Sequence, residues 1–261
     1  MRIANSTPAV CVGTQLRIFR LAITCTGEYA IAATGLSSPT IPQTLSRIVT
    51  SVNRVDGVYE SELAVRMVLI PTTTLVIYTS PSTDPYTANF NGPQLLGQSH
   101  NQITSLIGTA NFDIGHIFST GGGGIASLGC VCTNADKGKG VTGLPNPVGD
   151  PYDIDYVAHE MGHQFDGNHT FNEITGSCSG NRNPGTSGEP GSGVTIMGYA
   201  GICGTNNLAQ RSIPYFHAFS YDEIVNFTHT GLGSLCPIIG ATTNQPPLVT
   251  GSGDYVVPKS T

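Results

Sequence analysis

The most informative run of the chain is His159-Glu160-Met161-Gly162-His163-Gln164-Phe165-Asp166-Gly167-Asn168-His169. Positions four apart lie on one face of a helix, so His159 and His163 can direct their rings at one point about 2 Å from each nitrogen, as Zn²⁺ requires. Glu160 is displaced around the helix and would sit beside the metal, where it can take a proton from zinc-bound water whose pKa the metal lowers. His169 becomes the third ligand if the chain turns back, and Gly167 supplies conformational freedom for that turn.

Two helical histidines alone also occur as ordinary surface or core groups, and the third histidine at this spacing is what favours a metal site. A deaminase-like or cysteine-rich structural site is not supported, because no cysteines lie nearby with ligand spacing.

The run resembles the metzincin signature HExxHxxGxxH, and the chain is similar to bacterial reprolysin-like metallopeptidases over most of residues 14–236. The flanking runs that carry the resemblance are residues 111–124, 149–158, 193–203 and 214–217. The resemblance implies an α/β (α+β) zincin fold. In that fold a twisted mixed β-sheet is packed with helices, one helix carries the active-site histidines, and a methionine turn lies below the zinc.

One position departs from the family pattern. The family has Gly where this chain has Asp166, and Gly167 comes one place late. Asp is among the residues that best tolerate positive φ after Gly, so we expect it to be accommodated at a cost of roughly 1 kcal/mol. An impaired or engineered site, or Asp166 as an alternative zinc ligand, are the other interpretations.

The resemblance also assigns roles to Met197 and Tyr199. Met197 matches the methionine of the turn, where it would be a packing floor and not a ligand; an ordinary core methionine is the alternative. Tyr199 stands two residues later, and its phenol would donate a hydrogen bond to the transition-state oxyanion or merely line the pocket wall.

Hydrophobic spacing and turn residues give a coarse secondary structure. Strands are predicted over residues 15–25, 63–70, 74–79, 112–119 and 125–132, and helices over residues 42–56, 93–107, 151–165 and 220–229. Ser220 with Glu223 forms a capping-box pattern. The strand segment Ile125–Val131 should lie at the sheet edge above the cleft, where an extended peptide can pair with it. Residues 1–240 are expected to form the catalytic domain, with residues 241–261 as a linker and the start of a truncated C-terminal segment.

Composition limits the partners and the compartment. The net charge is −6 and there is no Lys/Arg cluster, which argues against nucleic acid or an anionic membrane as partner. No apolar run is long enough to span a bilayer. A low charged fraction of 11% with many small polar residues is common in exported proteins. We therefore expect a secreted monomer whose signal, with any propeptide, is absent from this sequence.

The seven cysteines suit disulfides better than a metal site. Cys178 with Cys203 is the favoured pair, because it would close the long loop after the zinc helix. Cys130 and Cys132 should share a strand face without bonding to each other. The odd count leaves at least one cysteine without an intramolecular cysteine partner. Cys11 could bind the zinc as a thiolate and keep the enzyme inactive, or it could form a disulfide with Cys25.

Three acidic residues lie just before the zinc motif: Asp150, Asp153 and Asp155. They could bind a calcium ion, although negative charge that stabilises the start of a helix explains them equally well. The sequence thus predicts a zinc-dependent endopeptidase acting on polypeptides. The alternative is a non-catalytic or latent extracellular binding module on a metalloprotease scaffold.

Overall fold

Strand β1 (Gln15–Cys25) lies at the centre of the fold in the computed structural model, which describes residues 12–245 of the 261-residue chain. Its second half, from Leu21 to Cys25, is buried on both faces, as expected of a strand inside a largely parallel sheet. The other strands are β2 (Val65–Leu69), β3 (Ile114–Ser119), β4 (Gly123–Ala126), β5 (Gly140–Gly143) and β6 (Ile238–Ala241).

The strands form one mixed sheet in the order β2-β1-β3-β5-β4, with β6 paired to the beginning of β1. Strands β2, β1, β3 and β5 run parallel, and Leu21 of β1 pairs with Leu69 on one side and with Ile114 on the other. Strands β4 and β6 run antiparallel to their neighbours. Among the described strands, β4 pairs with β5 alone, so its outer edge is open.

Helices cover both faces of this sheet. They are α1 (Gly27–Thr34), α2 (Ile41–Leu63), α3 (Gly92–Ile107), α4 (Asp150–Tyr152), a π-helix (Asp153–Ala158), α5 (His159–Gln164) and α6 (Ala218–His229). Helix α3 packs on one face, where Ile103 and Ile107 join Ala22. Helices α2 and α5 pack on the other, where the ring of Phe165 lies 5.1 Å from Phe19 and 5.8 Å from Tyr59. The predicted mixed sheet packed with helices is therefore confirmed.

Several predicted elements are confirmed, with shifted ends. The strand over residues 15–25 matches β1, and the helix over residues 93–107 begins one residue earlier. The helix over residues 42–56 runs from Ile41 to Leu63, and its start carries a capping box between Thr40 and Gln43.

The predicted strand over residues 74–79 is wrong. Residues Pro71–Val76 form a 3₁₀ helix, and the Thr73 hydroxyl bonds both the N–H and the C=O of Ile23 at 2.9 Å. A side chain thus satisfies the polar groups of β1 that a neighbouring strand would have used.

The predicted strand over residues 125–132 ends at Ala126. Beyond it, the N–H groups of Gly129 and Val131 bond to the carbonyls of His163 and Gln164, so this backbone pairs with the end of α5 and leaves the sheet. Cys130 and Cys132 therefore do not share a strand face. Cys132 is bonded to Cys236, and Cys130 is buried and free.

The predicted cap at Ser220 is also wrong. Helix α6 begins at Ala218, with the His217 ring accepting from the N–H of Phe219, and Ser220 is buried within the helix. The predicted domain boundary after residue 240 stays a prediction; β6 ends at Ala241, and the N–H of Thr242 still bonds to Thr14.

Candidate metal centre

The helical segment that carries the first two histidines changes its winding just before them. A turn of π-helix, Asp153–Ala158, leads into α5, and such turns are frequent at functional sites. The hydroxyl of Tyr59 on α2 donates to the carbonyl of Ala158 at 2.8 Å and fixes this junction. His159 and His163 then project from one face of α5, with ring centroids 4.8 Å apart.

The turn that follows α5 is a Schellman motif. The N–H of Gly167 bonds to the carbonyl of Gly162 at 2.8 Å, and that of Asp166 to His163 at 2.9 Å. Asp166 takes the left-handed position with φ 75°, as expected for the residue at the family's Gly position. Gly167 is needed for a different reason from the one predicted: a β-carbon there would lie 3.0 Å from the Gly162 carbonyl oxygen.

Beyond this turn, Glu223 of α6 holds the returning chain. Its carboxylate accepts from the backbone N–H and from the side-chain amide of Asn168, both at 2.8 Å. The Asn168 side chain is fixed further by Asn183, which donates to it at 2.7 Å. This clamp places His169 opposite α5.

The three histidines converge. Nε2 of His169 lies 3.2 Å from Nε2 of His159 and 3.0 Å from Nε2 of His163. They form the one group of three or more potential ligand side chains found among residues 12–245, and Asp166 is not part of it.

The second nitrogen of each ring determines what these Nε2 atoms can do. Each Nδ1 bonds to a backbone carbonyl: His159 to Ile196 at 2.7 Å, His163 to Gly167 at 2.7 Å and His169 to Asn181 at 2.6 Å. Because a carbonyl only accepts, each Nδ1 carries the proton and each Nε2 presents a lone pair. Three lone pairs facing one another repel unless a cation lies between them, and ~3.3 Å is the spacing of tetrahedral nitrogen ligands to zinc. The residues present therefore fit a zinc ion.

Electrostatics keep these rings neutral, which is the form that binds metals. Burial, followed by the neighbouring histidines, lowers the pKa of His159 well below its usual value. The same causes lower the pKa of His163 to about 3, and burial lowers that of His169.

Glu160 lies beside this cluster with an unused acceptor. Its side chain is 5% exposed, and its Oε2 is buried without a hydrogen-bond partner. Burial raises the pKa of Glu160 to about 8. A buried carboxylate oxygen without a partner is costly, so its persistence indicates a partner that the protein itself does not supply.

Met197 lies beneath α5. It is fully buried in a turn closed by a bond from the N–H of Gly198 to the carbonyl of Thr195 at 2.9 Å. Its sulfur is so close to α5 that a β-carbon on Gly162, between the two histidines, would lie 2.5 Å from it.

Tyr199 forms part of the wall of the site. Its ring centroid lies 4.7 Å from that of His169, 5.5 Å from that of His159 and 4.5 Å from that of Phe171. Its hydroxyl has no hydrogen bond to any described residue. Burial raises the pKa of Tyr199, and Glu160 adds to the effect, so the phenol stays protonated.

Two depressions flank the histidines, of about 540 and 670 Å³. Both are lined by Gly124, Glu160, Asn181 and Tyr199. The first extends past His159 to residues 198–202 and Arg211, and the second past His163 and His169 to Ile125 of β4. They form one cleft along the open edge of β4.

The disulfide Cys178–Cys203, which was the favoured pair, lies in the loop that supplies the Asn181 carbonyl. Cys25 is buried and free, and Cys11 lies outside the described residues. The predicted disulfide between Cys178 and Cys203 is therefore confirmed.

The structure gives no support to calcium. Asp150 pairs with Arg54, Asp155 accepts from Arg211 and from the N–H of Ser212, and Asp153 is buried. Asp150 and Asp155 thus have separate partners, and within residues 12–245 the three carboxylates do not form a group of potential ligands.

Five of the six predicted site residues thus line one cleft: His159, Glu160, His163, His169 and Tyr199. The sixth, Met197, is buried beneath α5. Sequence reasoning missed Glu223, the three carbonyls that bond to the histidine rings, and Glu189, which bonds to the loops around the site. Most of these contacts carry no local sequence signal, because they join groups that are distant in the chain.

Comparison with known proteins gives one family. The sequence model of the metallo-peptidase family M12B, reprolysin-like, matches residues 15–226. No curated protein matches the chain at a significant level. No helix within residues 12–245 has the length and apolar character needed to cross a membrane. The chain belongs to the reprolysin-like M12B metallopeptidases.

Proposed function

We propose that this reprolysin-like metallopeptidase is a zinc-dependent endopeptidase that cleaves extended polypeptides. The observation that carries the proposal is the convergence of three imidazole Nε2 atoms beside an unpartnered carboxylate oxygen of Glu160. The three histidines would supply zinc with neutral nitrogen ligands, the number of protein ligands that catalytic zinc sites have.

The chain's own residues would hold the zinc through Nε2 of His159, His163 and His169. Their Nδ1–H bonds to carbonyls fix the ring orientations and raise the basicity of the ligand atoms. When bound, zinc lowers the pKa of a coordinated water and polarises a carbonyl oxygen. Met197 would be the packing floor that supports α5 from below.

Glu160 is the general base in this proposal. Its free Oε2 takes a proton from the attacking water, and the same carboxyl group then passes it to the leaving amine. Burial raises the pKa of Glu160, which strengthens a carboxylate as a base. The charge of a bound zinc would favour the ionised form of Glu160, which is the form that accepts a proton.

The open edge of β4 is the proposed docking site for the substrate backbone. An extended peptide can add to such an edge through main-chain hydrogen bonds, with its side chains entering the flanking depressions. The depression lined by residues 198–202 would receive the side chain just after the scissile bond. Tyr199 would donate its phenol proton to the oxyanion that develops at the carbonyl.

The alternative, a non-catalytic or latent binding module, gains no specific support. Asp166 is one feature that could favour it, but the turn at Asp166 forms with its hydrogen bonds intact. Cys11, the candidate latency residue, lies outside the described residues.

The proposed setting is extracellular, because the two disulfides favour an oxidising compartment. We expect the protein to act as a monomer, with residues 1–240 as its catalytic domain and no nucleic acid as partner.

Casein or gelatin hydrolysis by the purified chain tests the proposal. Cleavage should stop when a zinc chelator is added and return when zinc is restored. Metal analysis should find about one zinc per chain, as a single three-histidine site predicts. Cleavage that is indifferent to the chelator would overturn the proposal, and bound zinc without cleavage of any unfolded protein would favour the alternative.

A further inference from the structure

We propose that Glu189 is a positioning residue for the metal centre, which it serves by fastening the His169 segment to the Met197 turn. This inference rests on the proposed function, since it concerns the geometry of the same site. Glu189 lies twenty positions beyond His169 in the loop that follows it, and no motif singles it out.

The Glu189 carboxylate is buried, with 5% of the residue exposed, and it accepts four hydrogen bonds. Oε1 accepts from the hydroxyl of Thr170 at 2.6 Å and from the hydroxyl of Thr195. Oε2 accepts from the backbone N–H of Val194 at 2.7 Å and of Thr195 at 3.1 Å. Four donors compensate for burying a charge, which would otherwise be expensive.

These four donors belong to two different segments. Thr170 follows His169 directly, whereas Val194 and Thr195 lead into the turn with Met197. The backbone of Glu189 adds to the link, since its N–H bonds to the Thr170 carbonyl at 2.9 Å. One side chain therefore joins the segment of the third histidine to the turn beneath the first two.

The segments that Glu189 joins contact two of the proposed zinc ligands, His159 and His169, each through one neighbouring residue. Ile196, next to Thr195, supplies the carbonyl that accepts from Nδ1 of His159. The carbonyl of Met197 accepts from the N–H of Thr170, beside His169. A shift of the 194–197 backbone relative to Thr170 would thus move His159 and His169 apart.

A carboxylate is required at position 189 because all four groups that contact its oxygens are hydrogen-bond donors. A glutamine of the same shape has one accepting oxygen, and its NH₂ group would face the donors at the other position. The space around the group is also fitted, since a β-carbon on Gly193 would lie 3.0 Å from the Glu189 carboxyl carbon.

The test compares Glu189→Gln with Glu173→Gln in the full chain. Glu173 is a matched control because it lies in the same loop, is 8% exposed and accepts from two backbone N–H groups, those of Ile174 and Thr175. It bonds to neither the His169 segment nor the Met197 turn. The probes are zinc affinity and the visible absorption spectrum of the Co²⁺-substituted protein.

We expect E189Q to bind zinc about tenfold more weakly, the lower end for loss of a group that orients metal ligands. Its Co²⁺ spectrum should shift, because the ligand field reports the angles between the three histidines. E173Q should keep the wild-type affinity and spectrum, whatever stability it loses. Equal affinities and identical spectra for E189Q and the wild type would overturn the inference.

Thr170→Val carries the same test should E189Q fail to fold. This variant keeps the shape of a buried β-branched residue and removes one of the four bonds, so we expect a smaller fall in zinc affinity with a shifted Co²⁺ spectrum. Unchanged values would overturn the inference and leave the proposed function standing. A wild-type chain that binds neither metal would overturn both.

Discussion

Gly124 on strand β4 lies against Glu160: a β-carbon at position 124 would be 2.3 Å from Glu160 Oε1 and 2.4 Å from its Cγ. The contact extends along the side chain, so Glu160 cannot avoid an added methyl group by turning its carboxylate alone. Gly124→Ala should therefore displace the base and lower kcat/KM about 10²-fold, the cost of a misplacement near 1 Å. Peptide hydrolysis and zinc content measured together check this.

Gly122→Ala is the matched control for that variant. Gly122 belongs to the same glycine run, and a β-carbon there would meet nothing within 4 Å. We expect near wild-type hydrolysis for G122A and full zinc content in both variants. Equal activity of G124A and G122A would show that the Gly124 contact does not position the base.

Tyr199→Phe separates the two roles proposed for this residue. The Tyr199 hydroxyl makes no hydrogen bond to the described residues, so its removal leaves no protein partner unsatisfied. If the phenol donates to the oxyanion, kcat should fall about 10²-fold with little change in KM, since the bond forms only in the transition state. A change confined to KM would instead identify Tyr199 as pocket wall. Steady-state kinetics on one peptide distinguish these outcomes.

Asp166→Gly tests whether the departure from the family pattern impairs the site. Asp166 has φ 75°, and Gly takes this conformation without strain. We expect the zinc-loaded protein to gain about 1 kcal/mol in the free energy of unfolding, with unchanged hydrolysis. Urea unfolding and an activity assay provide the check. A tenfold rise in activity would mean that Asp166 damages the metal centre.

Asp56 predicts a pH dependence of stability that is separate from the metal. Burial raises its pKa to about 7, although the hydrogen bond from the N–H of Met67 acts in the opposite direction. In the unfolded chain the pKa of Asp is about 3.9. Between these values the folded protein keeps a proton that the unfolded chain has lost, so this contribution to stability falls as the pH rises.

Asp56→Asn should remove that contribution, because the amide cannot ionise and its oxygen can still accept from Met67, now at 2.8 Å. We expect D56N to be more stable than the wild type at pH 8, with a smaller difference at pH 5, in urea unfolding. Asp222→Asn, on the exposed surface of α6, corrects for the loss of one negative charge. Equal behaviour of both variants at both pH values would contradict the assignment.

The first two members of the three-histidine cluster could be predicted from sequence because their geometry is local. His159 and His163 are one helical turn apart, and helix periodicity alone puts them on one face. The left-handed conformation of Asp166 was likewise foreseeable from the tolerance of Asp for positive φ. Such features depend on the residues themselves and on their near neighbours.

The supporting contacts could not be predicted, because they join distant segments. Glu223 lies 55 positions after Asn168, and the Thr73 hydroxyl replaces a strand beside Ile23 across 50 positions. The segment after Ala126 has strand-like residues, yet its backbone bonds to the end of α5. In each case tertiary contacts outweighed the local preference.

The most direct test of the central claim is Glu160→Gln, assayed for casein hydrolysis beside the wild type, with zinc measured in both. We expect about one zinc per chain in each protein and a fall in hydrolysis of about 10³-fold in the variant, since the amide keeps the shape of Glu160 but cannot accept the proton. Full hydrolysis by the zinc-loaded E160Q variant would contradict it.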